Sequence, residues 1–146
     1  MINREPIYLA LYNLLLGLVE SESIKTASRR LKHWSDTPPP EQPAIFQIQK
    51  GEDPGQVRML PTKWKLDVDL YVYVNSGDDP SAAAAELLNP ILDDLESLFP
   101  TSDEDGPIQT LGGLVSHCWI SGRIETAEGV LGQQEVAIVP IEILTT

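Results

Sequence analysis

The sequence predicts an α+β fold, a mainly antiparallel sheet with two helices packed on one face. Three observations predict it. Residues 63–74 alternate without a break, with Trp64, Leu66, Val68, Leu70, Val72 and Val74 apolar and Lys63, Lys65, Asp67, Asp69, Tyr71 and Tyr73 between them. Successive strand side chains point to opposite faces, so this is a strand with one buried and one polar face, as in antiparallel sheets covered on one side. A turn cluster at 75–80 then leads into Ala84, Leu87, Leu88, Ile91, Leu92, Leu95, Leu98 and Phe99 at helical spacing. Finally, the remaining strand-like runs cluster as hairpins. With 146 residues the chain has the length of one domain, spanning 1–146.

Taken in order, Asn3 can cap a helix over 4–20, with Pro6 in the first turn where no helical hydrogen bond is lost. Ile7, Leu9, Leu11, Leu14, Leu15, Leu16, Leu18 and Val19, with Tyr8 and Tyr12, cover more than one stripe. A helix apolar nearly all round is buried on more than one side, either within its own fold or against another subunit. Residues 24–34 suggest a short strand and hold four of the ten basic residues, Lys25, Arg29, Arg30 and Lys32. Pro38, Pro39, Pro40 and Pro43 form a stiff spacer. Residues 44–49 read as a short strand with Phe46 and Ile48 on one face. A long, mobile connection over 50–62 follows, with Pro54 and Gly55 central in a type II turn.

Asp79 with Pro80 suggests the start of the second helix, and Pro90 should kink or divide it. Residues 100–107 form a polar loop carrying Asp103, Glu104 and Asp105. Two strands close the chain, over 114–126 and 134–144, joined by a hairpin loop at 127–132. In the last strand Ala137, Val139, Ile141 and Ile143 line one face, and Pro140 suggests a sheet edge.

The net charge of −12 argues against a general nucleic-acid binder and against an anionic membrane surface as partner. The single Cys118 suits a reducing cytoplasm and allows no intrachain disulfide. The apolar run 7–19 is too short to span a bilayer and lacks a signal peptide's basic leader. No metal-binding, phosphate-cradling or dinucleotide motif is present, and Ser116 and Ser121 lack a nucleophile's setting. His117 and Cys118, being adjacent on a strand, point to opposite faces and cannot easily share a metal. The chain thus offers no catalytic, cofactor-binding or metal-ligating set, and no cofactor is expected. One alternative remains in Asp67 and Asp69, which share a strand face with Lys65. They could serve a metal-dependent hydrolase, but the reading strongly favoured is a solvated face with cross-strand charge pairs. A small binding module of a cellular complex is a further alternative.

The layout resembles the tail terminator proteins of long-tailed phages, the minor tail protein U type. The stretches that carry the likeness are Ile7–Leu11, Pro43–Gln47, Trp64–Val74, the helix from Ala84 to Leu95 and the closing hairpin from Val115 to Ile143. The resemblance implies a non-enzymatic phage or prophage protein that assembles in the host cytoplasm and resides in the virion tail. It implies a six-fold homo-oligomeric ring that ends the tail tube, with the tail tube protein and a head–tail connector protein as partners. Six copies at −12 each repel one another, so added salt should favour assembly. Lys25, Arg29, Arg30 and Lys32 form the one basic cluster, a possible subunit contact for acids such as Asp103, Glu104 and Asp105 of the next copy.

Overall fold

The computed structural model describes residues 2–56, 58–78, 81–101, 106–131 and 133–146. The chain runs α1 (Arg4–Glu20), β1 (Thr26–Ser28), β2 (Ala44–Gly55), β3 (Lys63–Asn75), α2 (Ala84–Leu98), β4 (Val115–Ile120), β5 (Glu125–Leu131) and β6 (Gln134–Thr145). The strands form one sheet in the order β1-β2-β3-β6-β4, with β5 also on β6. Every ladder is antiparallel except β1 with β2. This is the α+β architecture expected.

The alternating strand lies at the centre, between β2 and β6. Its inward set, Leu66, Val68, Leu70, Val72 and Val74, is buried with Ala137, Val139, Ile141 and Ile143 of β6 and with both helices. From α1 come Ile7, Tyr8, Leu11, Leu15 and Leu18, and from α2 come Ala84, Leu88, Ile91 and Leu95. Burying each large aliphatic side chain contributes about 1.5–3 kcal/mol, so this face dominates stability. Trp64 and Leu92 pack only at its margin.

Several expectations need correction. Asn3 does occupy the N-cap of α1, but its side chain makes no capping bond. The fold buries one face of α1 and leaves Leu9 45% exposed, so the helix is not sandwiched within its own chain. The second helix begins at Ala84, with Ala83 at the cap position, and runs undivided through Pro90. Asp79 and Pro80 lie outside the described residues. Leu87, assigned to the stripe, is exposed.

The connection after β2 is shorter than 50–62. Strand β2 continues to Gly55, which pairs with Lys63, so Pro54 and Gly55 are strand residues and not the centre of a turn. A bulge between Gln49 and Gly51 hid this continuation, because it interrupts the period-two pattern. The run 114–126 is two strands, β4 and β5, broken at Gly122, whose φ of 95° a residue with a Cβ rarely adopts. Strand β5 continues to Leu131, which pairs with Gln134, so most of the expected hairpin loop is strand.

Pro140 is not at an edge, because β6 pairs on both sides. Its carbonyl accepts the Ser121 amide, placing its missing donor toward the break between β4 and β5. No ladder hydrogen bond is lost there, so an interior strand tolerates this proline.

Candidate functional site

The outer face of the sheet is divided. At one end Ala44, Phe46 and Tyr73 form a second small cluster, joined by Trp34, Ile48, Tyr71 and Val136. The crossover between β1 and β2 supplies Trp34 and covers this end. It is fastened by a buried reciprocal amide pair: Gln42 Nε2 donates to Gln134 Oε1 and Gln134 Nε2 to Gln42 Oε1, each at 2.9 Å. Gln42 Nε2 also donates to the Thr37 carbonyl. The tyrosines of β3 therefore face a packed surface, and the polar face expected for that strand holds over only half its length.

The other end is open and charged. Asp67 stands directly opposite Glu142 of β6, and Asp69 opposite Pro140. With Lys50, Lys65 and Ser121 they line a shallow cleft of about 390 Å³. Asp69 is 8% exposed and its Oδ2 lies 3.5 Å from Lys50 Nζ. Ser121 Oγ donates to Glu142 Oε2 at 2.7 Å. Burial pushes the Asp67 carboxyl above its ordinary range; Lys65 opposes the shift, and Glu142 and Asp53 add to it. Among the described residues, no group of three His, Cys, Asp or Glu side chains could hold a metal ion.

The bulge organises both faces of the β2–β3 hairpin. Unbroken alternation from Gln49, which is opposite inward Val68, would turn position 52 outward. The extra residue instead leaves Glu52 opposite inward Leu66. There Glu52 Oε1 accepts from Arg4 Nε at 2.6 Å and its Oε2 from the Tyr8 hydroxyl at 2.7 Å. The Arg4 guanidinium also stacks 4.9 Å from the Trp64 ring centre. Burial pushes the Glu52 carboxyl up, but the Arg4 and Tyr8 hydrogen bonds outweigh it and hold the group below its usual range. The first turn of α1 is thereby pinned to the far half of the hairpin.

Past the last pair, Gly55 with Lys63, the hairpin tip presents Met59 at 94% exposure and Leu60 at 62%. Met59 has a φ of 68°, a left-handed conformation costly for a residue with a Cβ. The adjoining Pro61 lines an open cleft of about 670 Å³ with Ile2, Arg4, Trp64, Leu114 and Thr146.

The four basic residues lie together near β1 but are not equally available. Arg29 bonds Glu5 at 2.7 Å and also donates to Gln49. Lys32 Nζ lies 3.8 Å from Glu41. Lys25 and Arg30 are exposed. Asp103, Glu104 and Asp105 fall outside the described residues. Cys118 is buried in the inner core, where burial alone pushes its thiol up to about 12, so little of it is the reactive thiolate. His117 lies on the outer face, stacked on Trp119 with ring centres 4.7 Å apart. Ser116 donates weakly to the Thr145 carbonyl. Neither Glu142 nor Glu52 stood out in the sequence; Glu142 needed the β3–β6 register, and Glu52 needed the bulge.

No protein-family model and no curated protein matches the sequence. One solved structure, whose name describes no function, superposes over 100% of this chain and 98% of its own, with a TM-score of 0.57 and 15% identity. At that identity the likeness is one of fold alone. Among the described residues, no helix is long and apolar enough to cross a membrane.

Proposed function

We propose that this protein is a structural component of a phage or prophage tail, a terminator that forms a ring on the tail tube and presents a surface for head joining. The element order and strand character named above support the reading. The observation that carries it is the hairpin tip. Met59 and Leu60 are the most exposed large apolar side chains among the described residues, and they sit beside an open cleft. A monomer gains nothing from such surface, whereas a tube end or a neighbouring subunit would bury it. Partners in this reading are further copies of the chain, the tail tube protein and the head–tail connector protein. This reading calls for no specific nucleic acid and no membrane as partner.

The test is capture of purified protein by tail tubes, with a Met59→Asp/Leu60→Asp variant alongside. The variant is expected to keep its unfolding midpoint and lose tube-end binding. Protease cleavage within 56–62 should be fast in free protein and slow on tubes. Equal cleavage in both states would sink the reading. So would a divalent-dependent hydrolytic activity that disappears in Asp67→Ala and Asp69→Ala variants.

A further inference from the structure

Charge is unevenly divided along the chain. Nine of the ten basic residues precede position 66, and residues 66–122 hold no lysine or arginine. The tip of the β2–β3 hairpin belongs to the basic part: residues 54–66 include Arg58, Lys63 and Lys65 and no acid. Arg58 and Lys63 are exposed, one before and one after the exposed Met59 and Leu60. Neither cation makes an ion pair among the described residues, whereas Arg4, Arg29, Lys32 and Lys50 each do. The tip is thus an apolar pair between two uncommitted cations.

The outward side of α2 has the matching character. Burial of Ala84, Leu88, Ile91 and Leu95 turns Glu86, Pro90 and Asp93 to solvent, one helical turn apart. The helix carries the acids Glu86, Asp93, Asp94 and Glu96 and no base. None of these acids makes an ion pair among the described residues. Leu87 is exposed beside them, with Pro90 three positions on. An apolar centre with a charged rim is the anatomy of a protein contact, and here the rim is wholly acidic.

We propose that the hairpin tip of one copy seats on the outward side of α2 of a second copy. Met59 and Leu60 cover Leu87, and Arg58 and Lys63 meet Glu86 and Asp93. Charge complementarity selects this occupant: a cationic, apolar tip on a chain of net charge −12 finds its complement in the part of the same chain that lacks bases. The tip precedes the Lys63 end of β3 and α2 follows its Asn75 end, so the contact joins two different surfaces. Copies therefore link head to tail and close into a ring where the rotation permits. Salt screens this attraction and the general repulsion between copies alike, so charge reversal at one salt concentration isolates the contact. The inference rests on the ring reading above but names a contact that can fail independently of it.

The test uses the full chain, with sedimentation at one fixed salt concentration in the presence of tail tubes. A tip variant, Arg58→Glu/Lys63→Glu, and a helix variant, Glu86→Lys/Asp93→Lys, are each expected to weaken assembly by about tenfold or more. Mixing the two should restore it, because the reversed tip fits the reversed helix and the two unaltered surfaces fit each other. A misfolded variant could not complement, so rescue separates contact from stability. Should either double variant unfold, Arg58→Glu and Glu86→Lys alone carry the same comparison. Rings that form unchanged in both variants would overturn the contact and leave the terminator reading intact. The same rings losing only tube capture in the tip variant would seat the tip on the tube instead. Loss without rescue on mixing would overturn the pairing. Wild-type protein that neither assembles nor binds tubes would overturn both readings. Wild-type monomer that binds phosphatidylglycerol vesicles, and is released by the tip substitutions, would make the tip a lipid contact instead.

Discussion

The two faces of the sheet obey different rules. The inner face is apolar along β3 and β6, with Gln47 and Glu52 of β2 as polar members that bond Tyr8 of α1, and both helices cover it. Strands β3 and β6 add the same kind of residue to it throughout, so local alternation suffices to build most of it. The outer face changes character halfway, from the aromatic cluster under Trp34 to the charged cleft around Asp67. Strand β3 carries that change by itself, from Lys65, Asp67 and Asp69 to Tyr71 and Tyr73. Register extends it across the face, because it sets the apolar ends of β2, β3 and β6 side by side and their polar ends likewise. A face built by repetition secures the fold, whereas a face built by juxtaposition is where this protein has room for a contact.

The largest expected effect tests that division of labour. Leu95 is fully buried under α2, and Leu95→Ala should cost about 2–5 kcal/mol. Ile138 of the outer face is half-buried, and Ile138→Ala should cost roughly 1 kcal/mol. Leu92, at the margin, should fall between them. Chemical denaturation of the three variants checks the order, and equal losses would erase the distinction between the faces. A smaller effect concerns how the aromatic end is fastened. Gln134→Leu would leave the Gln42 amide buried without its partner, at a cost of about 1–3 kcal/mol. Gln42→Leu in the same chain should recover part of that loss. A double variant less stable than either single one would show that the crossover is held by something other than this pair.

Both helices and the central strand were legible in the sequence because their signals are local. Leu66 to Val74 alternate, and Leu88, Ile91 and Leu95 recur at helical spacing. What was not legible depends on single residues acting through distant partners. Lys50, the extra residue of the bulge, made a continuing strand look like a loop. Pro140 looked like an edge residue, and only the break between β4 and β5 accommodates it inside the sheet. The candidate cleft was half visible, in Asp67 and Asp69. Glu142 lies 75 positions from Asp67, and nothing local announces that they meet.

The smallest effects have opposite signs, and they come from two carboxylates on neighbouring register positions of one hairpin. Glu52 pairs with Leu66 and faces inward, while Asp67 pairs with Gly51 and faces outward. Glu52 has its folded pKa lowered, because hydrogen bonds from Arg4 and Tyr8 outweigh the cost of burial. Its contribution is therefore fully present above the ordinary carboxylate value and is lost as pH falls through the lowered folded value. Asp67 has its folded pKa raised, chiefly by burial. It therefore costs stability at neutral pH, and that cost is relieved as pH falls from the raised folded value to the ordinary one. Glu52→Gln should lower the neutral unfolding midpoint and Asp67→Asn should raise it, each by less than about 1 kcal/mol, as for partly exposed ion pairs. Both differences should vanish at a pH low enough to protonate the two groups in either state. Thermal unfolding of dilute protein across a pH series reads the signs directly.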